Sequence, residues 1–524
     1  MATRPHLGRA AGLVLPLFSL RSSRDWGIGE IGDMPAFGQW LRDAGFSALQ
    51  LLPVSTLPPG EASPYSALSA MALDPSYLSM ADVHDFRVLG GDIRLPLADQ
   101  IALRAARAAG RVSYAQVRQI KESALRLAFS LFYDVDWVRG TARAGSFAAF
   151  VSWEDWWLGD YALYCALRAA HGGRPWTKWP ADVRDRRPEA LSDARDALER
   201  EVLFHQYTQW LADEQWASAR EALGDVRLFG DFPFMVGIDS ADVWANQHLF
   251  RFDRTAGTPP DAFSTTGQDW GLPVYRWDVM AEEHDRWLRQ RARRMGRIFD
   301  GYRVDHLVGF FRTYSRPLGV VAGSFDPPDE PDQIAQGDRI LTLFKETGSD
   351  ITAEDLGLIP DFVRASLVHA GVPGYKVIRW ERDWHASGQP FIKPSTFPAT
   401  SVATTSTHDI DPIALWWDTA SAEEKREFAL TISDAVNPAA VVDVPFDEPM
   451  HRRMLEGAYA AGSRLLLIPM QDACGWRDRI NVPGTVDGTN WSWRLNVPVE
   501  QLATTYPQIA TLLRELAAGS KRLP

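Results

Sequence analysis

Residues 301–306 read GYRVDH, residues 351–357 read ITAEDLG, and residues 401–409 read SVATTSTHD. Each is a short apolar run that ends in an acidic residue: Asp305, Glu354 and Asp409. Runs of this length, bounded by turn-forming residues, suit strands buried on both faces, as in a parallel sheet. Helical patterns lie between them. Leu288, Ala292, Met295 and Phe299 repeat at helical spacing ahead of residue 301. Pro360 opens a helix that Gly371 closes before the next run, 375–380.

The same alternation extends to both ends of the chain. Residues 11–16 are apolar. Asp33 then fits an N-cap, Pro35 a first helical turn, and Gly45 a helix stop. Between them Phe37, Trp40, Leu41 and Ala44 fall on one helical face. Runs at 47–53 (SALQLLP), 226–229 and 465–470 complete a set of eight. Strands alternating with helices predict an α/β protein with a closed (β/α)₈ TIM barrel, a fold of ~250 residues that tolerates long loops. With 524 residues, the expectation is one catalytic barrel over 1–524 carrying two insertions. One, near 55–100, is rich in Pro, Ser and Gly; the other, near 110–220, is helical and rich in Trp, with WVRG, WEDWW and RPWTKW inside it.

Composition narrows the function. A net charge of −12 argues against a nucleic-acid partner, whose phosphates call for Lys and Arg. Residues 10–20 have the length of a signal-peptide core. They are followed by Arg21, Ser22, Ser23, Arg24 and Asp25 instead of a small-residue cleavage site, so a buried first strand is the reading taken. No apolar run approaches the ~18 residues of a membrane span, so no membrane partner is expected. Cys165 and Cys474 lack metal spacing; two cysteines could form one disulfide, but they read more simply as a reduced pair in the cytoplasm. Most of the 21 tryptophans suit the core, but several sit beside polar residues in loop-like segments, as rings that stack on sugars do.

In barrels of this kind the active site lies at the C-terminal ends of the strands. Arg303 and Asp305 are two apart on a strand and face the same side. A guanidinium beside a carboxylate favours its ionised form, which a nucleophile requires. A second carboxyl group held protonated would supply the general acid, and such unequal pairs cleave glycosidic bonds. Strand-end acids commonly serve as caps or solvent-facing charges. Three at equivalent places, with Arg303, His306 and His408 adjacent, favour chemistry. Asp305-His306 and His408-Asp409 also offer metal ligands. No HxH or HExxH spacing is present, and Arg303 would repel a cation, so no metal is expected.

Longer motifs surround these residues: Ser63-Pro64-Tyr65; 230–250 (GDFPFMVGIDSADVWANQHLF); 257–277 (GTPPDAFSTTGQDWGLPVYRW); 303–310 (RVDHLVGF); 353–357 (AEDLG); Thr407-His408-Asp409; and 479–494 (RINVPGTVDGTNWSWR). Together they resemble the 4-α-glucanotransferases of glycoside hydrolase family 77, relatives of the α-amylases, over nearly the whole chain. The resemblance implies a retaining transferase whose donors and acceptors are α-1,4-glucan oligosaccharides and glucose, with no cofactor. It implies Asp305 as nucleophile, Glu354 as acid/base and Asp409 as the carboxylate that holds the distorted sugar. Arg303, His306 and His408 would hydrogen-bond the sugar or the nucleophile, and Asp355 would also contact substrate. Tyr65 would stack under the ring at the cleavage site. Asp261, Phe263, Gln268 and Trp270 would shape a covering loop that excludes water.

The chain departs from the family pattern at Asp74, Ala262, Val308, Ser406, Ile410 and Pro412. Two other functions remain open on sequence: a hydrolase of the same clan, and a glucan-binding protein without catalysis. Asp239, Asp242 and Trp244 read as structural. Asn490, Trp491, Trp493 and Arg494 read as packing around the last strand, and Gln471-Asp472 is left unassigned.

Overall fold

A computed structural model describes residues 7–260, 265–432, 441–485 and 487–524. Eight strands close into a parallel barrel in chain order. They are β1 (Ala10–Val14), β2 (Ala48–Gln50), β3 (Arg227–Phe232), β4 (Gly301–Val304), β5 (Asp350–Ala353), β6 (Gly374–Val377), β7 (Ser401–Thr404) and β8 (Leu465–Pro469). All eight expected strands are present, with ends displaced by a few residues. In the sixth, for example, the apolar pattern to residue 380 outruns the ladder at Val377.

The barrel interior changes character along the strands. Its lower part is apolar: Ala10, Ala48, Phe229, Tyr375, Val402, Leu465 and Leu467 pack together. Phe229 fills so much of this space that a Cβ on Gly301, its register partner in β4, would fall 2.4 Å from the ring. Two residues further along each strand, on the same side of the pleat, the interior turns polar. There Gln50 follows Ala48, Asp231 follows Phe229 and Arg303 follows Gly301. The Tyr375 hydroxyl donates to Gln50 Oε1 at 2.9 Å across this layer. Polar groups thus gather at the C-terminal ends of the strands, facing the expected site.

Helices cover the outside. In α1 (Met34–Asp43), Phe37, Trp40 and Leu41 are buried as their spacing requires. Asp33 caps a different turn from the one expected, since its carboxylate accepts from the Glu30 N–H at 2.8 Å. Between β2 and β3 stand three long helices, α2 (Tyr114–Phe132), α3 (Ala142–Ala170) and α4 (Glu199–Ala222). They share an aromatic core in which Phe132 meets Tyr207 at 5.0 Å and Phe147 at 5.3 Å. Four more cover the remaining strands: α5 (Arg286–Ile298), α6 (Glu330–Lys345), α7 (Asp361–Ala370) and α8 (Glu448–Tyr459). Gly371 ends α7 in the left-handed conformation, at φ 68°. Arg494 returns to the first strand's exit loop and pairs with Asp25 at 2.7 Å, both side chains buried. Cys165 and Cys474 are free thiols. Among the described residues no helix is long and apolar enough to cross a membrane.

Candidate active site

Register brings the first two carboxylates together. Val304 pairs with Ala353 in the parallel ladder of β4 and β5, so Asp305 and Glu354 leave neighbouring strands side by side. Adjacent strands lie ~4.8 Å apart. The ladder runs one residue past the strands, because Asp305 N–H donates to Phe232 O (3.0 Å) and Glu354 N–H donates to Val304 O (2.9 Å).

Arg303 ties this pair to a third strand. Its Nη1 lies 2.7 Å from Asp305 Oδ1 and 2.8 and 2.9 Å from the two oxygens of Asp231 on β3. Burial works against the charge of Arg303, but Asp231 and Asp305 outweigh it and hold its pKa well above the usual range. Burial likewise pushes the Asp231 carboxyl up, against the pull of Arg303. The side chain of Asp305 itself is partly open to solvent.

Immediately after Asp305 the backbone turns through a left-handed His306, at φ 44°. That turn aims the His306 N–H at Glu354 Oε2 (2.9 Å), while the Leu356 N–H reaches Oε1 (2.9 Å). Both bonds favour the carboxylate. Burial dominates them and, helped by the charge of Asp305 and opposed by Arg303, pushes Glu354 up to about 7. Burial pushes the His306 imidazole down to about 4, so it is neutral near pH 7.

Asp409 stands beyond β7 within a set of donors. Asn481 Nδ2 donates to its Oδ1 at 2.6 Å, and His408 Nε2 lies 3.3 Å from its Oδ2. Burial opposes its charge, but His408 and Asn481 outweigh burial and hold it well below the usual carboxylate range. Tyr65 closes the ring of residues. Its hydroxyl donates to Asp231 Oδ2 (2.8 Å), and its ring stacks on His408 with centroids 5.4 Å apart. Burial raises its pKa well above the usual range, so the phenol keeps its proton. A continuous path of contacts thus runs from Asp409 through His408, Tyr65, Asp231 and Arg303 to Asp305.

Of the covering loop, Asp261 and Phe263 lie outside the described residues, as does Ala262. Trp270 is half-buried, edge-on to His306 with centroids 4.9 Å apart, and its Nε1 donates to the exposed Gln268 (3.0 Å). Asp355 corrects an expectation. Neighbours on an extended chain point to opposite sides, so Glu354 faces the cleft and Asp355 does not. Its carboxylate accepts from the Tyr375 N–H at 2.7 Å and seats the start of β6, where Gly374 leaves room for it.

Four residues of the site escaped sequence reading. Asp231 sat in a quoted motif, two residues beyond the apolar position Phe229 on the same strand face, and that spacing was the available signal. Arg479 and Asn481 likewise sat in a quoted motif, 479–494, and that motif was the available signal. Arg479 reaches the Asp409 carbonyl oxygen (2.8 Å) and Asp411 (2.7 Å). Trp491, expected to pack around the last strand, instead meets Tyr65 at 5.9 Å and His408 at 5.7 Å. Asp239 is structural as expected, accepting from Tyr164 (2.8 Å) and the Trp176 N–H (3.2 Å). Asp472 is structural too, accepting from Thr405, Ser406 and the Ile413 N–H.

The family model described as 4-alpha-glucanotransferase, glycoside hydrolase family 77, matches residues 15–500. A 4-alpha-glucanotransferase of Thermus thermophilus is 36% identical, with 99% of this chain and 100% of that protein covered. One of Chlamydia pneumoniae is 32% identical over 94% of this chain and 92% of its own length. Among solved structures, an amylomaltase of Streptococcus agalactiae in complex with acarbose superposes with a TM-score of 0.83 at 27% identity, covering 98% of this chain and all of that one.

Proposed function

The chain belongs to the 4-alpha-glucanotransferases of glycoside hydrolase family 77, and from the geometry of its site we propose how it moves a glucan segment from one chain to another. The donor is an α-1,4-glucan. Asp305 attacks the anomeric carbon while Glu354 gives its proton to the leaving oxygen. The covalent glucosyl–Asp305 ester then yields to the 4-hydroxyl of an acceptor glucan or glucose, and Glu354 takes that proton back. Two inversions give net retention.

The observation that carries this reading is the unequal surroundings of two adjacent carboxyl groups. Arg303 Nη1 is 2.7 Å from Asp305, whereas burial pushes Glu354 up to about 7. One group is paired with a cation and the other retains a proton near neutral pH, the division of labour that a retaining pair needs. Asp409, His408 and Asn481 present a fixed charge and donors to sugar hydroxyls. Tyr65 supplies a ring face beneath the sugar, and Trp270 with Gln268 borders the acceptor side, where excluding water favours transfer over hydrolysis. The whole chain serves as one catalytic unit, with the helices between β2 and β3 as an insertion. Two free thiols suit a reducing compartment, the cytoplasm.

Incubation of the protein with maltotriose tests the reading. Glucose together with a ladder of longer oligomers is the expected result. Short products alone would make it a hydrolase, and unchanged maltotriose would make it a binder.

A further inference from the structure

The WEDWW motif takes no part in the site described above. It lies on α3, where Trp157 is buried but Trp153 and Trp156 remain 74% and 41% exposed. Exposed indoles at two places on one helix lack a packing reason. Trp153, Trp156 and Asp160 are spaced i, i+3, i+7 and so share one helix face. Trp156 and Asp160 line a cleft of 220 Å³ together with Asn246, His248, Arg286 and Gln290.

We infer that this cleft is a second binding site for α-1,4-glucan, separate from the site of cleavage. The inference rests on the glucan reading of the active site. Three observations favour this ligand. First, the charges of the cleft are largely satisfied: Asp160 pairs with Arg186 (2.9 Å), His248 with Glu283 (2.9 Å) and Arg286 with Glu283 (3.7 Å). Asp242, which also lines it, is buried and accepts from the Ala70 N–H (2.8 Å). Second, the cleft offers neutral groups to a ligand. The Gln290 side-chain amide has no hydrogen-bond partner among the described residues, and Trp156 presents an indole. An amide and an aromatic face in one cleft match a sugar, whose hydroxyls seek hydrogen bonds and whose C–H faces are apolar. Third, the volume is below the ~300–1,000 Å³ of pockets that enclose whole small molecules. It suits a ring or two of a chain whose remainder lies along the exposed Trp153.

The cleft also lies at the useful end of the barrel. Arg286 and Gln290 are in the first turns of α5, which follows β3 and therefore begins near the strands' C-terminal ends. Trp287, beside them in the cleft wall, packs on Tyr275 (5.9 Å), Tyr275 on Phe234 (5.8 Å), and Phe234 on His306 (5.4 Å). Three aromatic contacts join the two sites. A glucan long enough to occupy both is held near the nucleophile between turnovers, whereas a trisaccharide is too short to benefit.

Affinity electrophoresis in native gels containing amylose, with maltotriose transfer measured in parallel, tests this. Trp156→Ala and Gln290→Ala replace partly exposed residues outside the catalytic cleft. Trp156→Ala should weaken retention by amylose about tenfold, the order expected for loss of one stacking contact. Gln290→Ala should weaken it less, and both should transfer from maltotriose at the wild-type rate. Retention of Trp156→Ala equal to wild type would overturn the inference. So would a fall in amylose retention matched by an equal fall in maltotriose transfer, since that places the effect in the active site or the fold. Wild-type protein inactive on maltotriose would sink the catalytic reading instead, and the retention comparison would still decide the cleft.

Discussion

A single nitrogen of Arg303, Nη1, lies 2.7 Å from Asp305 Oδ1 and 2.8 Å from Asp231 Oδ2, so that the group that orients Asp305 is itself anchored by a buried carboxylate. Arg303→Lys keeps the charge but loses the planar fork, so it should lower kcat with little change in KM. Arg303→Leu also leaves Asp231 buried without its cation. Breaking a buried pair by removing one partner costs about 3–5 kcal/mol, so this variant should unfold at distinctly lower urea concentration. Equal stability of the Leu and wild-type proteins would mean that Asp231 is paired elsewhere.

The two catalytic roles separate by substrate. Asp305→Asn should abolish turnover of every donor, because an amide does not replace the nucleophile. Glu354→Gln should lose ~10²–10⁴-fold on maltotriose, the range for a general acid, yet still form an ester from a glycosyl fluoride, which leaves without a proton. Peptide mass mapping of the trapped intermediate reads the answer. A label on Glu354 would reverse the assignment.

Activity should fall as pH rises through about 7, because Glu354, pushed up to about 7 by burial, then loses the proton it must donate. The charge of Asp305 contributes to that shift in the raising direction. Asp305→Asn should therefore lower the Glu354 pKa, which carboxyl-labelled NMR titration of the inactive variant would detect. An upward movement would mean that the loss of Asp305 changes burial more than charge.

Trp270 packs edge-on against His306, 4.9 Å between centroids, and in the reading proposed above it borders the acceptor side. An acceptor sugar gains from an indole contact and water does not. Trp270→Ala should thus raise the fraction of donor lost to water. A tenfold loss in transfer corresponds to ~1.4 kcal/mol. Free glucose and transfer products from maltotriose, with a melting curve for each protein, distinguish this from packing. An unchanged product ratio with a large fall in Tm would make Trp270 a core residue.

The sequence by itself determined the barrel and its three strand-end carboxylates. Their signals are local: apolar runs, helical spacing, a Pro or Gly at each boundary, and an acid where the apolar run stops. The motif resemblance added roles to those positions. What it could not supply was the set of partners contributed by distant segments. Asn481 reaches Asp409 across 72 residues and Tyr65 reaches Asp231 across 166, and no periodicity links such positions. Tertiary structure decided these pairings, because closing the barrel brings together strand ends that are remote along the chain. It also decided between neighbours. Glu354 and Asp355 are two acids in one motif, but the pleat turns one to the cleft and the other to the Tyr375 amide. The protonation bias of Glu354 belongs to tertiary structure as well, since burial, its main cause, exists only once the chain has folded.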